Sequence, residues 1–152
     1  MLGTVARALA VRSSLGIEGV ATEQQVEAAI AAAGLELWDE APLAGRVYGL
    51  LHDRVVYVKR GLLPATRRVV KAHEFVHHLN GDATAYYRPV APFGGPETRR
   101  GEWRAQVGAY ALLLGQPAPD LPSLTAQVRW AHDHGGLPWD FLAAAVSLLA
   151  AL

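Results

Sequence analysis

The residues in this chain with the clearest chemistry are His73, Glu74 and His77, in the run Lys71-Ala72-His73-Glu74-Phe75-Val76-His77-His78. On a helix, positions i and i+4 share a face, so both imidazoles can reach one metal ion. Glu74 is displaced about 100° around the helix from His73. That sets its carboxylate beside the ion, where it can act as general base towards a water. The pattern therefore predicts a metal hydrolase site with Glu74 as the catalytic group.

Such a site needs a third protein ligand, and a carboxylate from a later helix is one solution. Glu102, Glu97 and Asp82 compete for that place. Glu102 fits best, because it opens the next predicted helix. Glu97 lies in or beside a Pro/Gly-rich loop, and Asp82 lies just past a helix stop. A His₂Glu set suits zinc, with manganese or iron as alternatives. Tyr86, Tyr87 and Arg88 follow the motif helix and are candidate oxyanion or substrate contacts.

The rest of the chain must place these groups. It has 152 residues, 51% hydrophobic and 18% charged, which is enough for one domain with a real core and argues against disorder. Fourteen basic residues balance fourteen acidic ones, so no global attraction to nucleic acid is expected. With no cysteine, disulfides, thiolate metal sites and thiol catalysis are excluded. No run reaches the ~18 apolar residues of a membrane span, and Arg7 and Arg12 interrupt the first segment, so the expectation is a cytoplasmic protein without a signal peptide.

A short helix is expected over 4–12. Thr22 and Gln25 have capping-box spacing and open a second helix that closes at Gly34. A short strand over 35–38 precedes a hairpin made of 46–51 and 55–59. Pro64 starts the motif helix, and Asn80-Gly81 ends it. A long loop to Glu97 follows, then helices over 101–114, 124–134 and 138–152. The expected fold is α+β, mostly helical, with a small antiparallel sheet of about three strands in one domain over 1–152. Its core spans about 22–115, with a helical extension over about 121–152. Arg67, Arg68 and Lys71, with Lys59 and Arg60, are expected to form a solvated basic face. Trp38, Trp103, Trp130 and Trp139 are expected to be core or partly buried anchors. His132 and His134 are expected to mark a solvated helix end.

The order of hairpin, LPATRRVVKAHEFVHHLNGD, loop and GEWRAQVGAYALLLG resembles the ImmA/IrrE family of zinc metallopeptidases over about residues 22–115. In that family a helix with HExxH is followed by one with an ExEAN- or ExEAD-like signature that leads into FAxxLLMP. Here the second signature reads Glu102-Trp103-Arg104-Ala105-Gln106, with Gly108 at the Phe position and Leu114-Gly115 in place of Met-Pro. The resemblance implies a zincin-like minimal peptidase domain, with His73, His77 and Glu102 as zinc ligands and Glu74 as base. Gln106 takes the Asn/Asp position and becomes a candidate to orient a ligand by hydrogen bond. Arg104 would repel a cation if it pointed inward. The resemblance also implies a cytoplasmic regulatory role in transcription and stress response. The substrate would be a protein, with helix-turn-helix repressors as the implied class. A catalytically weak or inactive module of the metallopeptidase fold that binds a regulatory protein is the alternative.

Overall fold

Helix α3 (Pro64–Leu79) is the element around which the molecule is built. Pro64 fixes the backbone of its first turn, and the chain leaves at Asn80. Val69, Val70, Ala72, Phe75 and Val76 are all buried, so the helix has apolar contacts on more than one side. Burying Phe75 alone is worth roughly 1.5–3 kcal/mol. The computed structural model describes residues 2–87, 96–115, 123–139 and Leu142.

One side of α3 meets the sheet, formed by β1 (Glu36–Ala41), β2 (Gly49–His52), β3 (Val55–Lys59) and β4 (Ala85–Tyr87). The strand order is β1-β3-β2-β4. Leu51, Val56 and Val58 supply the buried face. The expected hairpin is present, with β2 and β3 antiparallel and Leu50 opposite Tyr57. The sheet departs from expectation in two ways. First, β1 runs parallel to β3, pairing Trp38 with Tyr57, so the sheet is mixed and not wholly antiparallel. Second, β4 adds a fourth strand beside β2, within what the Pro/Gly composition marks as loop.

The other sides of α3 meet helices α1 (Leu2–Leu15), α2 (Glu23–Ala32) and α4 (Pro96–Leu114). The Thr22 hydroxyl accepts from the Gln25 amide, and the Gln25 side chain accepts in turn from the Thr22 amide, completing the capping box. Helix α4 starts at Pro96, five residues before its expected start, and so includes Glu97. It crosses α3 closely, because Gly108 presents no side chain towards Val76 and Thr4. A phenylalanine there, as in the family signature, would not fit this crossing. Helix α5 (Leu124–Gly135) is capped by Ser123 and ends at Gly136. The mixed sheet with its helices is a small α+β fold. Most of the expected terminal helix over 138–152 lies outside the described residues.

Two expectations about charge and aromatics are overturned. Lys71 is not on a solvated face. Its side chain is fully buried, and Nζ donates to Glu27 Oε1 and Asp39 Oδ2, each at 2.7 Å. Arg67 extends the network through Glu23, with nitrogen–oxygen distances of 2.5 and 3.0 Å. Arg68 donates to the carbonyls of Ala21 and Gly135. The basic residues of α3 therefore bind α2, β1 and the end of α5. Of the four tryptophans, Trp130 is partly buried against the core, but Trp38, Trp103 and Trp139 are each about half exposed. Trp38 leans on Tyr57 across the outer sheet face, with ring centroids 5.4 Å apart.

Lys71 is buried, but Glu27 and Asp39 are each about a third exposed and can be solvated once it is removed, so the loss is that of charged hydrogen bonds, about 1.5–3 kcal/mol. Lys71→Ala should therefore lower the urea-unfolding free energy by about 2 kcal/mol. An unchanged midpoint would show that the network contributes nothing.

Candidate metal centre

His73 and His77 project from one face of α3, and Glu102 projects to meet them from α4. All three are buried. Glu102 Oε2 lies 2.8 Å from His73 Nε2, and Glu102 Oε1 lies 3.2 Å from His77 Nε2. The two Nε2 atoms are 3.1 Å apart. A tetrahedral ion with ligand bonds of about 2.0–2.1 Å holds its ligand atoms about 3.3 Å from one another. The observed separations are close to that spacing. The three residues could hold a metal ion, and they form the single such group among the described residues.

The far side of each ring is also engaged. His73 Nδ1 is 2.9 Å from Gln106 Oε1, and His77 Nδ1 is 2.8 Å from Asp82 Oδ2. With each Nδ1–H donating to its oxygen, both Nε2 lone pairs face the same point. Gln106 is one turn beyond Glu102 on α4, so a single helix supplies both the third donor and the acceptor that fixes His73. Asp82 arrives by a turn. Gly81 adopts φ +84, and the Asp82 amide donates to the His77 carbonyl at 3.0 Å. Asp82 is thus a ring-orienting residue and not the third ligand. The sequence signal for this role is the helix stop Asn80-Gly81, which folds the next residue back on the last turn. Arg104 is exposed, so its charge is not directed into the site.

Glu74 is enclosed differently. Both carboxylate oxygens are buried and lack a hydrogen-bond partner among the described residues. Strand β2 crosses close above it. A Cβ at Gly49 would come within 3.2 Å of Glu74 Oε1 and 2.5 Å of Val70 Cγ1. Glycine inside a strand often marks such an approach, and Gly49 carried that signal in the sequence. An orphaned carboxylate beside two imidazoles and a third donor fits a site built to receive an ion and a water.

The electrostatics follow from burial. Burial pushes the Glu74 carboxyl well above the usual carboxylate range, opposed in part by His77 and reinforced by Glu102. Burial also lowers His73. Burial alone would lower His77 too, but its hydrogen bond to Glu102 and the charges of Glu74 and Glu102 outweigh it, raising the imidazole to about 9. Burial alone would raise Glu102, but hydrogen bonds to His73 and His77 prevail and lower it to about 2. Without metal, a proton on His77 therefore occupies part of the place an ion would take, and metal binding must displace it.

Among the other candidates, Tyr86 and Tyr87 lie on β4, where Tyr86 pairs with Leu50 and Tyr87 with Gly49. Their side chains and all of Arg88 lie outside the described residues, as does the Glu97 side chain. His132 stacks on Trp139 at 3.8 Å, and its Nδ1 lies 3.0 Å from the Leu137 carbonyl. No helix among the described residues is long and apolar enough to cross a membrane. No family model matches the chain, and no curated protein or solved structure matches it either.

Two outcomes are expected from this geometry. Asp82→Asn and Gln106→Ala should each weaken metal affinity about 10–100-fold in a chelator competition, without loss of fold. Glu74→Gln should stabilise the metal-free protein. The sign follows from linkage: the folded-state pKa of Glu74 is raised, so stability is lost as pH rises above the unfolded value near 4.5. Urea unfolding should show an advantage for Glu74→Gln that grows above pH ~4.5 and reaches about 1 kcal/mol or more. A wild type as stable as the variant at pH 7 would contradict it.

Proposed function

We propose that this protein is a zinc-dependent peptidase that hydrolyses a peptide bond in a protein substrate. The observation that carries the reading is the buried Glu74 carboxylate, unpartnered among the described residues, beside the donors His73, His77 and Glu102. The resemblance to ImmA/IrrE peptidases supports it and points to a regulatory protein, of the helix-turn-helix repressor class, as substrate. It also supports a zincin-like description of the fold and a cytoplasmic role.

The chemistry a bound zinc supplies is Lewis acidity, which polarises a carbonyl and acidifies a water. His73, His77 and Glu102 would hold the ion, while Gln106 and Asp82 keep the two rings in register. Glu74 accepts a proton from the attacking water as its oxygen bonds to the scissile carbonyl carbon. When the carbon–nitrogen bond breaks, Glu74 returns that proton to the departing amine. A bound cation beside Glu74 would oppose the effect of burial and favour the ionised form that a base requires. Manganese or iron would meet the same donors.

A second reading follows from the low exposure of the donors, 2% for each histidine and 6% for Glu102. A metal enclosed this far can serve as a structural clamp between α3 and α4, in a module that binds a regulatory partner without cleaving it.

The test begins with elemental analysis of protein purified without a His tag or added metal. About one zinc per chain is expected, and it should be lost in His77→Ala and Glu102→Ala. The zinc-loaded protein is then incubated with a proteome-derived peptide mixture, and new N-termini are mapped. Glu74→Gln should keep its zinc and lower the cleavage rate about 10²–10⁴-fold. Zinc bound with no cleavage above the Glu74→Gln background would favour the clamp. A folded wild type that takes up no zinc when it is offered would end both readings.

A further inference from the structure

The described basic residues divide into two groups. Seven use their head groups inside the fold. Arg12 donates to the Leu112 carbonyl at 2.7 Å, and Arg54 donates to the carbonyls of Ala33 and Gly34. Arg67 and Lys71 pair with carboxylates, and Arg68, Arg7 and Lys59 reach carbonyl or amide oxygens. The others, Arg46, Arg60, Arg100, Arg104 and Arg129, are exposed and make no such contact among the described residues.

Two of these sit together. Arg100 and Arg104 are one turn apart on α4, and Trp103 lies between them. Positions i, i+3 and i+4 share one helix surface. Trp103 is 47% exposed. Two cations at i, i+4 repel each other, and no residue three or four places from Arg104 is acidic, while Glu97, three places before Arg100, has a side chain outside the described residues. Glu102 gives no relief, since its carboxylate is turned to His73 and His77. The helix thus presents a large apolar ring between two exposed positive charges, on the side away from the metal donors.

We propose that this face of α4 docks an acidic polypeptide segment that places an apolar side chain against Trp103. Tryptophan and arginine are the residue types that dominate binding hot spots, and an acidic segment removes the repulsion between the arginines. Nucleic acid fits less well, because the chain has zero formal net charge and the face offers two cations to a polyanion. The surface lies apart from the metal donors, so the inference does not depend on hydrolysis.

The test is selection of random twelve-residue peptides displayed on phage against the full chain carrying Glu74→Gln, which prevents cleavage. Enriched sequences should be acidic with an aromatic or branched aliphatic residue. A synthetic peptide of the enriched sequence should bind roughly tenfold more weakly to Trp103→Ala and to Arg100→Glu/Arg104→Glu, and more weakly still at high salt. Selection against the charge-reversed protein should enrich basic peptides. The Arg100→Gln/Arg104→Gln variant provides the same comparison if the reversed protein melts earlier in circular dichroism. Binding should persist in His77→Ala, which separates this inference from the peptidase reading. Enrichment without acidic bias, affinity unchanged in the α4 variants, or tighter binding of a twenty-residue oligo-dT than of the peptide would each overturn it.

Discussion

The packing of α4 across α3 is the constraint on which the rest of the structure depends. The two helices bring together four ionisable side chains, His73, Glu74, His77 and Glu102, and bury all of them. Burying charge is costly unless the groups are paired or hold a metal. Three of the four satisfy one another through the His–Glu–His contacts. The crossing that permits this is set by Gly108, where a side chain would strike Val76 and Thr4. The approach of β2 from the other side is set in the same way by Gly49. Two missing side chains thus determine how closely the backbone encloses the site.

The site is braced from a distance. Lys71 and Arg67 lie on the same helix as the donors, and they bind α3 to α2 and β1 through Glu23, Glu27 and Asp39. For Lys71, burial opposes its charge, but the hydrogen bonds to Asp39 and Glu27 outweigh it and the ammonium stays protonated to higher pH than usual. The buried cation therefore acts as a fastener on the helix that positions the histidines. Arg12 and Arg54 do similar work at helix ends, donating to the last carbonyls of α4 and to those at the end of α2. A large share of the charge on this molecule is structural.

What could be read in the sequence was what lies within one helix or at fixed local spacing. His73 and His77 at i, i+4, the capping box at Thr22, Pro64 at the helix start and the Asn80-Gly81 stop depend on local geometry alone. Glu102 could be anticipated because its helix followed the motif in chain order. The parallel pairing of β1 with β3 could not, since residue pattern records which face of a strand is buried and not its direction. Strand β4 was hidden by the Pro and Gly residues that follow it. The partners of Lys71 lie 44 and 32 positions away, so its local pattern resembled that of a solvated face. The role of Asp82 needed the left-handed turn at Gly81 to be seen in three dimensions.

Glu74 shows where stability and chemistry separate. A side chain chosen for folding alone would not leave two carboxylate oxygens buried without a donor among the described residues. The surrounding structure tolerates this because α3 is held on every side, by the core, by the ion network and by the contacts to Glu102. The strain falls on the one residue whose proton must move in the proposed reaction, while the donors beside it are paired. That division, paired donors around a carboxylate unpaired among the described residues, is what the proposed hydrolytic centre would require. A purely structural clamp would have no use for the unpaired carboxylate, and for that reason the peptidase reading stands ahead of it.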